Sequence, residues 1–170
     1  LVREALSSGW LVQGPKVKEF ERQVASFAGA GHAVAVNSCT SGQMLMSHIL
    51  GLGEGDEVLV PAFTWISTAN AVEYMGARPV FCDISLDTFN VEPAQLEAKI
   101  SSSTRALYPV SLFGLAADMP GIMSLAQRRR LPVVEDVACG LGSFVEARHC
   151  GTFGLAGILS FHPRKSITTR

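Results

Sequence analysis

The run Glu57-Val58-Leu59-Val60, followed by Pro61-Ala62-Phe63-Thr64-Trp65, a helical stretch over residues 67–74 and a second apolar run Pro79-Val80-Phe81-Cys82-Asp83, decides the fold. A strand that is apolar without alternation is one buried on both faces, as in a parallel sheet covered by helices. Strand, helix, strand is therefore the unit, and it recurs in both directions. Upstream, Val17, Phe20, Val24 and Phe27 fall three or four apart in residues 16–28, which predicts a helix closed by Gly29. Residues 32–36 are expected as a strand, leading through Asn37-Ser38-Cys39-Thr40 into a helix over about residues 41–52. Downstream, helices are expected over residues 93–100 and 119–130, and strands over 106–110, 132–135 and 157–161. The class is α/β, a layered sandwich around a mostly parallel sheet. In such sheets ligands bind beyond the carboxyl ends of strands, so the polar residues after each strand are where chemistry is expected.

Composition narrows the function. The 170 residues carry 14 Lys+Arg against 15 Asp+Glu, which leaves no basic excess for a general nucleic-acid binder. The apolar share is 48% and the charged share only 17%, more apolar than a free monomer of this size needs, which favours an oligomer or a fragment. The most apolar stretch, residues 58–66, contains Pro61 and Thr64 and is far short of the roughly 20 residues of a membrane span. Cys39, Cys82, Cys139 and Cys150 show no paired metal-site spacing, so no metal is expected and a reducing cytoplasm is the simplest compartment. There is no repeat or linker-like stretch to divide the chain. It opens at Leu1 without Met and stops at Arg170, from which truncation at both ends is expected.

Four strand ends stand out. Asn37-Ser38-Cys39-Thr40-Ser41-Gly42 is rich in hydroxyls and opens a helix, as a phosphate requires, although an ordinary N-cap reads the same way. Trp65 follows a strand, as a ring-stacking plate or as a core residue. Glu135-Asp136 ends a strand of buried types, where at least one carboxylate should meet a cation or a ligand; a structural salt bridge is the alternative. Ser160-Phe161-His162-Pro163-Arg164-Lys165 ends the last strand in a hydroxyl, an imidazole and two cations, which a surface turn also explains. Together, a lysine, an acid, an aromatic plate and a phosphate-type helix start are the parts that hold pyridoxal 5′-phosphate (PLP).

The motifs fall in a familiar order. Ser8-Gly9-Trp10-Leu11 with Gly14-Pro15 and Phe20-Glu21, Asn37-Ser38-Cys39-Thr40, Gly55-Asp56-Glu57-Val58, residues 61–69, Phe113-Gly114 with Ala117-Asp118-Met119, Glu135-Asp136 and residues 160–165 resemble the signatures of the DegT/DnrJ/StrS family of sugar aminotransferases. The resemblance covers essentially the whole chain. It implies a three-layer α/β/α sandwich like the large domain of fold-type-I PLP enzymes, residues 1–170 being a partial PLP-binding large domain without the small C-terminal domain. It implies that Lys165 carries the cofactor and moves the proton, and that Asp136 keeps the pyridine nitrogen protonated. Trp65 would stack on the ring, while the Thr40 and Ser41 backbone and hydroxyls, with Ser160, would bind the phosphate. His162 is given a packing role. The implied reaction transfers an amino group from glutamate to a keto group of a nucleotide-linked sugar, in a cytoplasmic homodimer. A PLP-dependent sugar dehydratase is the enzymatic alternative, against which Lys165 argues because that branch has histidine there; a non-catalytic remnant is the other.

Two positions depart from the pattern. Cys39 stands where the family has Gly, which is tolerable if its backbone is not left-handed. Cys139 stands where Gln or His faces the cofactor's phenolic oxygen, and a thiol is the weaker hydrogen-bond partner there. An incomplete large domain is further expected to leave sheet edges and an apolar face exposed, and so to aggregate.

Overall fold

Five parallel strands form the frame, and in β1 the apolar run Val58-Leu59-Val60 is fully buried. In the computed structural model, which describes residues 2–168, β1 (Glu57–Pro61) is buried along its whole length. It pairs in parallel with β2 (Arg78–Cys82) on one side and β3 (Thr104–Leu107) on the other. Two parallel bridges, Leu107 with Val133 and Val110 with Asp136, continue the sheet to β4 (Val134–Val137). The antiparallel hairpin of β5 (Phe144–Val145) and β6 (Arg148–His149) intervenes in the chain. β7 (Ala156–Leu159) then pairs in parallel with β4. The expected parallel sheet is therefore present, although its strands end elsewhere. The strand expected over residues 106–110 stops at Leu107 because Pro109 has no N–H to give a ladder, and its carbonyl instead accepts from the Asp136 amide (2.9 Å). The strand expected over residues 132–135 starts later, which puts Glu135 and Asp136 inside β4 rather than after it.

Layers follow from the alternation of side chains along β1. Leu59 joins Leu107 and Val133 in a cluster with Leu96 of α5 (Pro93–Lys99) and Met119, Ile122 and Leu125 of α6 (Met119–Arg129). Val58 and Val60 point the other way and pack with Val72 of α4 (Ser67–Glu73) and with Met46 and Leu50 at the end of α3 (Cys39–Ile49). Helices cover both faces, giving the three-layer arrangement.

The chain divides into two compact units, Leu1–Val36 and Asn37–Arg170, and the layers above belong to the second. The first holds α1 (Val2–Ser8) and α2 (Pro15–Ala28), the latter beginning with Pro15 in its first turn and ended by Gly29 at φ 69°. Residues 32–36, expected as a strand, are not one: no described strand pairs with them, and Val34 is 75% exposed. β-branched residues favour extended backbone, but a ladder needs a neighbour. The Ala35 amide bonds the Glu21 carboxylate (2.8 Å) instead. Leu1, Thr169 and Arg170, on which the expectation of truncation rests, lie outside the described residues. Among those residues no helix is long and apolar enough to cross a membrane.

Candidate active site

Asp136 sits in β4, 5% exposed, and its carboxylate is met by donors from three elements. Oδ2 accepts from Gln43 Nε2 of α3 (2.5 Å) and from Thr68 Oγ1 of α4 (2.8 Å). Oδ1 accepts from the Ala138 amide (3.0 Å). Burial pushes the carboxyl up from the usual range, and the three donors and the charge of Lys165 oppose that rise. An ionised carboxylate offers about four acceptor positions, so three donors leave one position open, on Oδ1. Thr68 is itself held by Thr64 (3.1 Å between hydroxyls).

Glu135 behaves differently. At 1% exposed, it accepts three backbone amides, Gly151 on Oε2 and Phe153 and Gly154 on Oε1, each at 2.7 Å. The loop before β7 is thereby folded around one carboxylate. Of the two acids, Glu135 is stabilised by backbone N–H groups, while the charge of Lys165 acts on Asp136.

Gln43 ties α3 to the Asp136 carboxylate, and the Asp136 charge acts on the Cys39 thiol at the start of that helix. Ser38 caps the helix, its Oγ accepting from the Ser41 amide (3.0 Å) and lying 2.9 Å from Ser41 Oγ. Among the described residues this leaves the amides of Cys39 and Thr40 as the uncommitted donors of the first turn. The cap reading is met, with the Ser41 amide spent on it. Cys39 is absent from the left-handed residues, so its side chain is accommodated without strain. Burial, together with the Asp136 charge, pushes its thiol up to about 12 against the opposing effect of Lys165.

Lys165 lies in the turn after β7, and its Nζ donates to Cys139 Sγ at 3.1 Å. The turn is built from Ser160 and His162: the His162 amide bonds Ser160 Oγ (3.4 Å), the Arg164 amide bonds His162 Nδ1 (3.3 Å), and the Lys165 amide bonds the His162 carbonyl (2.8 Å). His162 is exposed and so shapes a turn rather than packing in a core. Ser160 is half-buried at the end of β7, the strand against which α3 packs. Trp65 follows β1 and is 74% exposed, which removes the core reading of that residue. Nearby on the sequence, Phe63 joins Phe89 and Phe113 in a ring cluster with centroids 5.6–6.3 Å apart. Phe89 and Phe113 take φ of 57° and 54°, a costly conformation for a non-glycine residue of the kind that collects at working sites.

Asp136, Cys39, Cys139 and Lys165 are therefore brought together, with Thr40 and Ser41 in the same first turn of α3 as Cys39. Gln43 and Thr68, which hold Asp136, were not expected from sequence.

Comparison with known proteins gives the family. The model of the DegT/DnrJ/EryC1/StrS aminotransferase family matches residues 1–170. The spore coat polysaccharide biosynthesis protein SpsC of Bacillus subtilis (strain 168) is 44% identical over 168 residues, covering 99% of this chain and 43% of SpsC. DesI, solved in the presence of its TDP-sugar product, is 37% identical with a TM-score of 0.92, over 98% of this chain and 42% of DesI. The Streptococcus pneumoniae protein Spr1654 in its PLP form is 32% identical with a TM-score of 0.94, over 98% of this chain and 46% of that one. The chain thus spans less than half the length of these relatives.

Proposed function

Because the chain belongs to the DegT/DnrJ/EryC1/StrS aminotransferase family, we propose that it is the cofactor-bearing part of a PLP-dependent enzyme that transfers an amino group from glutamate to a keto group of a nucleotide-linked sugar. The observation that carries this reading is Asp136: a buried carboxylate with three donors and one acceptor position left, in the field of the Lys165 ammonium. That open position suits a single N–H, which the protonated ring nitrogen of the cofactor provides. The other residues fit the group as well. The Cys39 and Thr40 amides, the Thr40 and Ser41 hydroxyls and Ser160 would take the phosphate, by oriented dipoles rather than a cluster of arginines. Exposed Trp65 would cover one ring face, and Cys139 would face the phenolic oxygen.

When bound, PLP supplies an electron sink that stabilises negative charge at the substrate carbon. The protein's share is positional and protonic. Asp136 keeps a negative charge opposite the ring nitrogen. The amine of Lys165, on a turn tied by His162, holds the cofactor and, once released, carries a proton to and from the reacting carbon. Cys139 keeps that amine near its working position through the 3.1 Å contact. A cytoplasmic homodimer completes the proposal, supported by four free thiols and a low charged share.

The test is transfer of label. The full-length protein with PLP, [¹⁵N]glutamate and a TDP-linked keto sugar should place ¹⁵N on the sugar, and Lys165→Ala should abolish it. A deoxy sugar with no nitrogen transferred would assign the dehydratase reading instead.

A further inference from the structure

Gln43 is a polar side chain that α3 buries together with Gly42 and Ser47, and Ser47 finds its partner in the Tyr108 hydroxyl. Gln43 lies on the face of α3 that, seven residues on, packs Leu50 against the core, and it is 1% exposed. Its amide is only half satisfied: Nε2 donates to Asp136 Oδ2 at 2.5 Å, while Oε1 is buried with no hydrogen-bond partner. A buried acceptor without a donor is costly, and a leucine or methionine of the same volume would avoid that cost. The retained glutamine is explained if its donor half does something an apolar side chain cannot.

We infer that Gln43 is a positioning residue that keeps the Asp136 carboxylate the weaker base of the pair it forms with the cofactor's ring nitrogen, so that the shared proton stays on nitrogen. The inference rests on the PLP reading above. Its basis is the balance of charges around Asp136. Burial favours the neutral acid, and the charged group opposing it is Lys165, whose amine is committed whenever it holds the cofactor. The neutral donors then decide the balance: the Ala138 amide, the Thr68 hydroxyl and the Gln43 amide. Gln43 and Thr68 share Oδ2, which directs the remaining acceptor position to Oδ1. Without the Gln43 donor the N–H bond of the ring breaks, an O–H bond forms on Asp136, and both partners become neutral. A ring so deprotonated is a poorer electron sink. The amide cannot serve equally in the reverse orientation, because its oxygen would then face an ionised carboxylate.

The experiment reads the proton directly. Full-length holoenzyme is reconstituted with PLP labelled with ¹⁵N in the ring, and the nitrogen resonance is compared between the wild type and Gln43→Met, which keeps length and volume and removes the donor. The expected result is a protonated nitrogen in the wild type and a resonance displaced to the unprotonated side in the variant, a change of at least tenfold in the proton equilibrium. Equal protonation in both overturns the inference and leaves the PLP reading intact. A wild-type protein that never binds PLP overturns that reading and the inference with it. If Gln43→Met fails to fold, the side-chain amide protons of Gln43 in wild-type holoenzyme still decide: a downfield position marks donation to a carboxylate, and an ordinary glutamine position overturns the inference.

Discussion

Replacing Glu135 by Gln changes one oxygen to an NH₂ group and keeps the size of the side chain. The wild-type carboxylate, itself buried, accepts Phe153 and Gly154 on Oε1 and Gly151 on Oε2, all at 2.7 Å. The amide does best by turning its oxygen to the pair and its nitrogen to Gly151, which leaves two donors facing each other. The loss of one hydrogen bond to a charged acceptor costs about 1.5–3 kcal/mol, and the unsatisfied buried groups about 1–3 more. The variant should therefore lose roughly 3–5 kcal/mol. Glu135→Ala, which strands three amides, should lose more, though not three times as much. Urea unfolding of the full-length protein measures the loss, and hydrogen exchange locates it at the amides of Gly151, Phe153 and Gly154. A Glu135→Gln protein within about 0.5 kcal/mol of the wild type, with those amides equally protected, would refute the assignment of Glu135 as the anchor of the loop before β7.

Other perturbations read other parts of the structure. Burial pushes the Cys82 thiol up to about 11, so between about pH 9 and 11 the unfolded chain has lost a proton that the folded one keeps, and stability falls as pH rises through that window. Cys82→Ala should remove up to about 1.4 kcal/mol per pH unit of that slope, as read from unfolding curves at successive pH values. Ser38→Ala removes the cap on the Ser41 amide and should cost about 1 kcal/mol, measured by the shift in unfolding midpoint. Asp136→Asn keeps the shape and removes the charge; transamination by the full-length enzyme should fall by about 10²–10³-fold, while its far-ultraviolet spectrum stays that of the wild type. Cys39, with its thiol pushed up to about 12, should resist alkylation by iodoacetamide up to about pH 10, followed by peptide mass.

The sheet was legible in the sequence because Val58, Leu59 and Val60 of β1 are apolar without alternation, and only a strand covered on both faces needs that. Residues 32–36 carry the same signature and fail as a strand, since pairing depends on a neighbour and not on the run itself. Strand ends were displaced wherever a proline or a bridge, rather than composition, set them, as at Pro109 and Val133. At the site, Asp136 and Lys165 were readable as charges beside buried strands, although Asp136 lies inside β4 and not after it. The partners of Glu135 were not, because backbone amides leave no mark in a sequence. Gln43 and Thr68 escaped for a related reason: each lies within a helix, and only the packing of α3 and α4 on the sheet brings them to Asp136.

The central claim is that Lys165 and Asp136 together hold PLP, and reduction with borohydride tests it most directly. Full-length protein incubated with PLP should develop an absorbance band at the edge of the visible, lose it on reduction, and yield a phosphopyridoxyl group on the peptide bearing Lys165. A protein that gains no band, or one labelled elsewhere while Lys165 stays unmodified, would contradict the account.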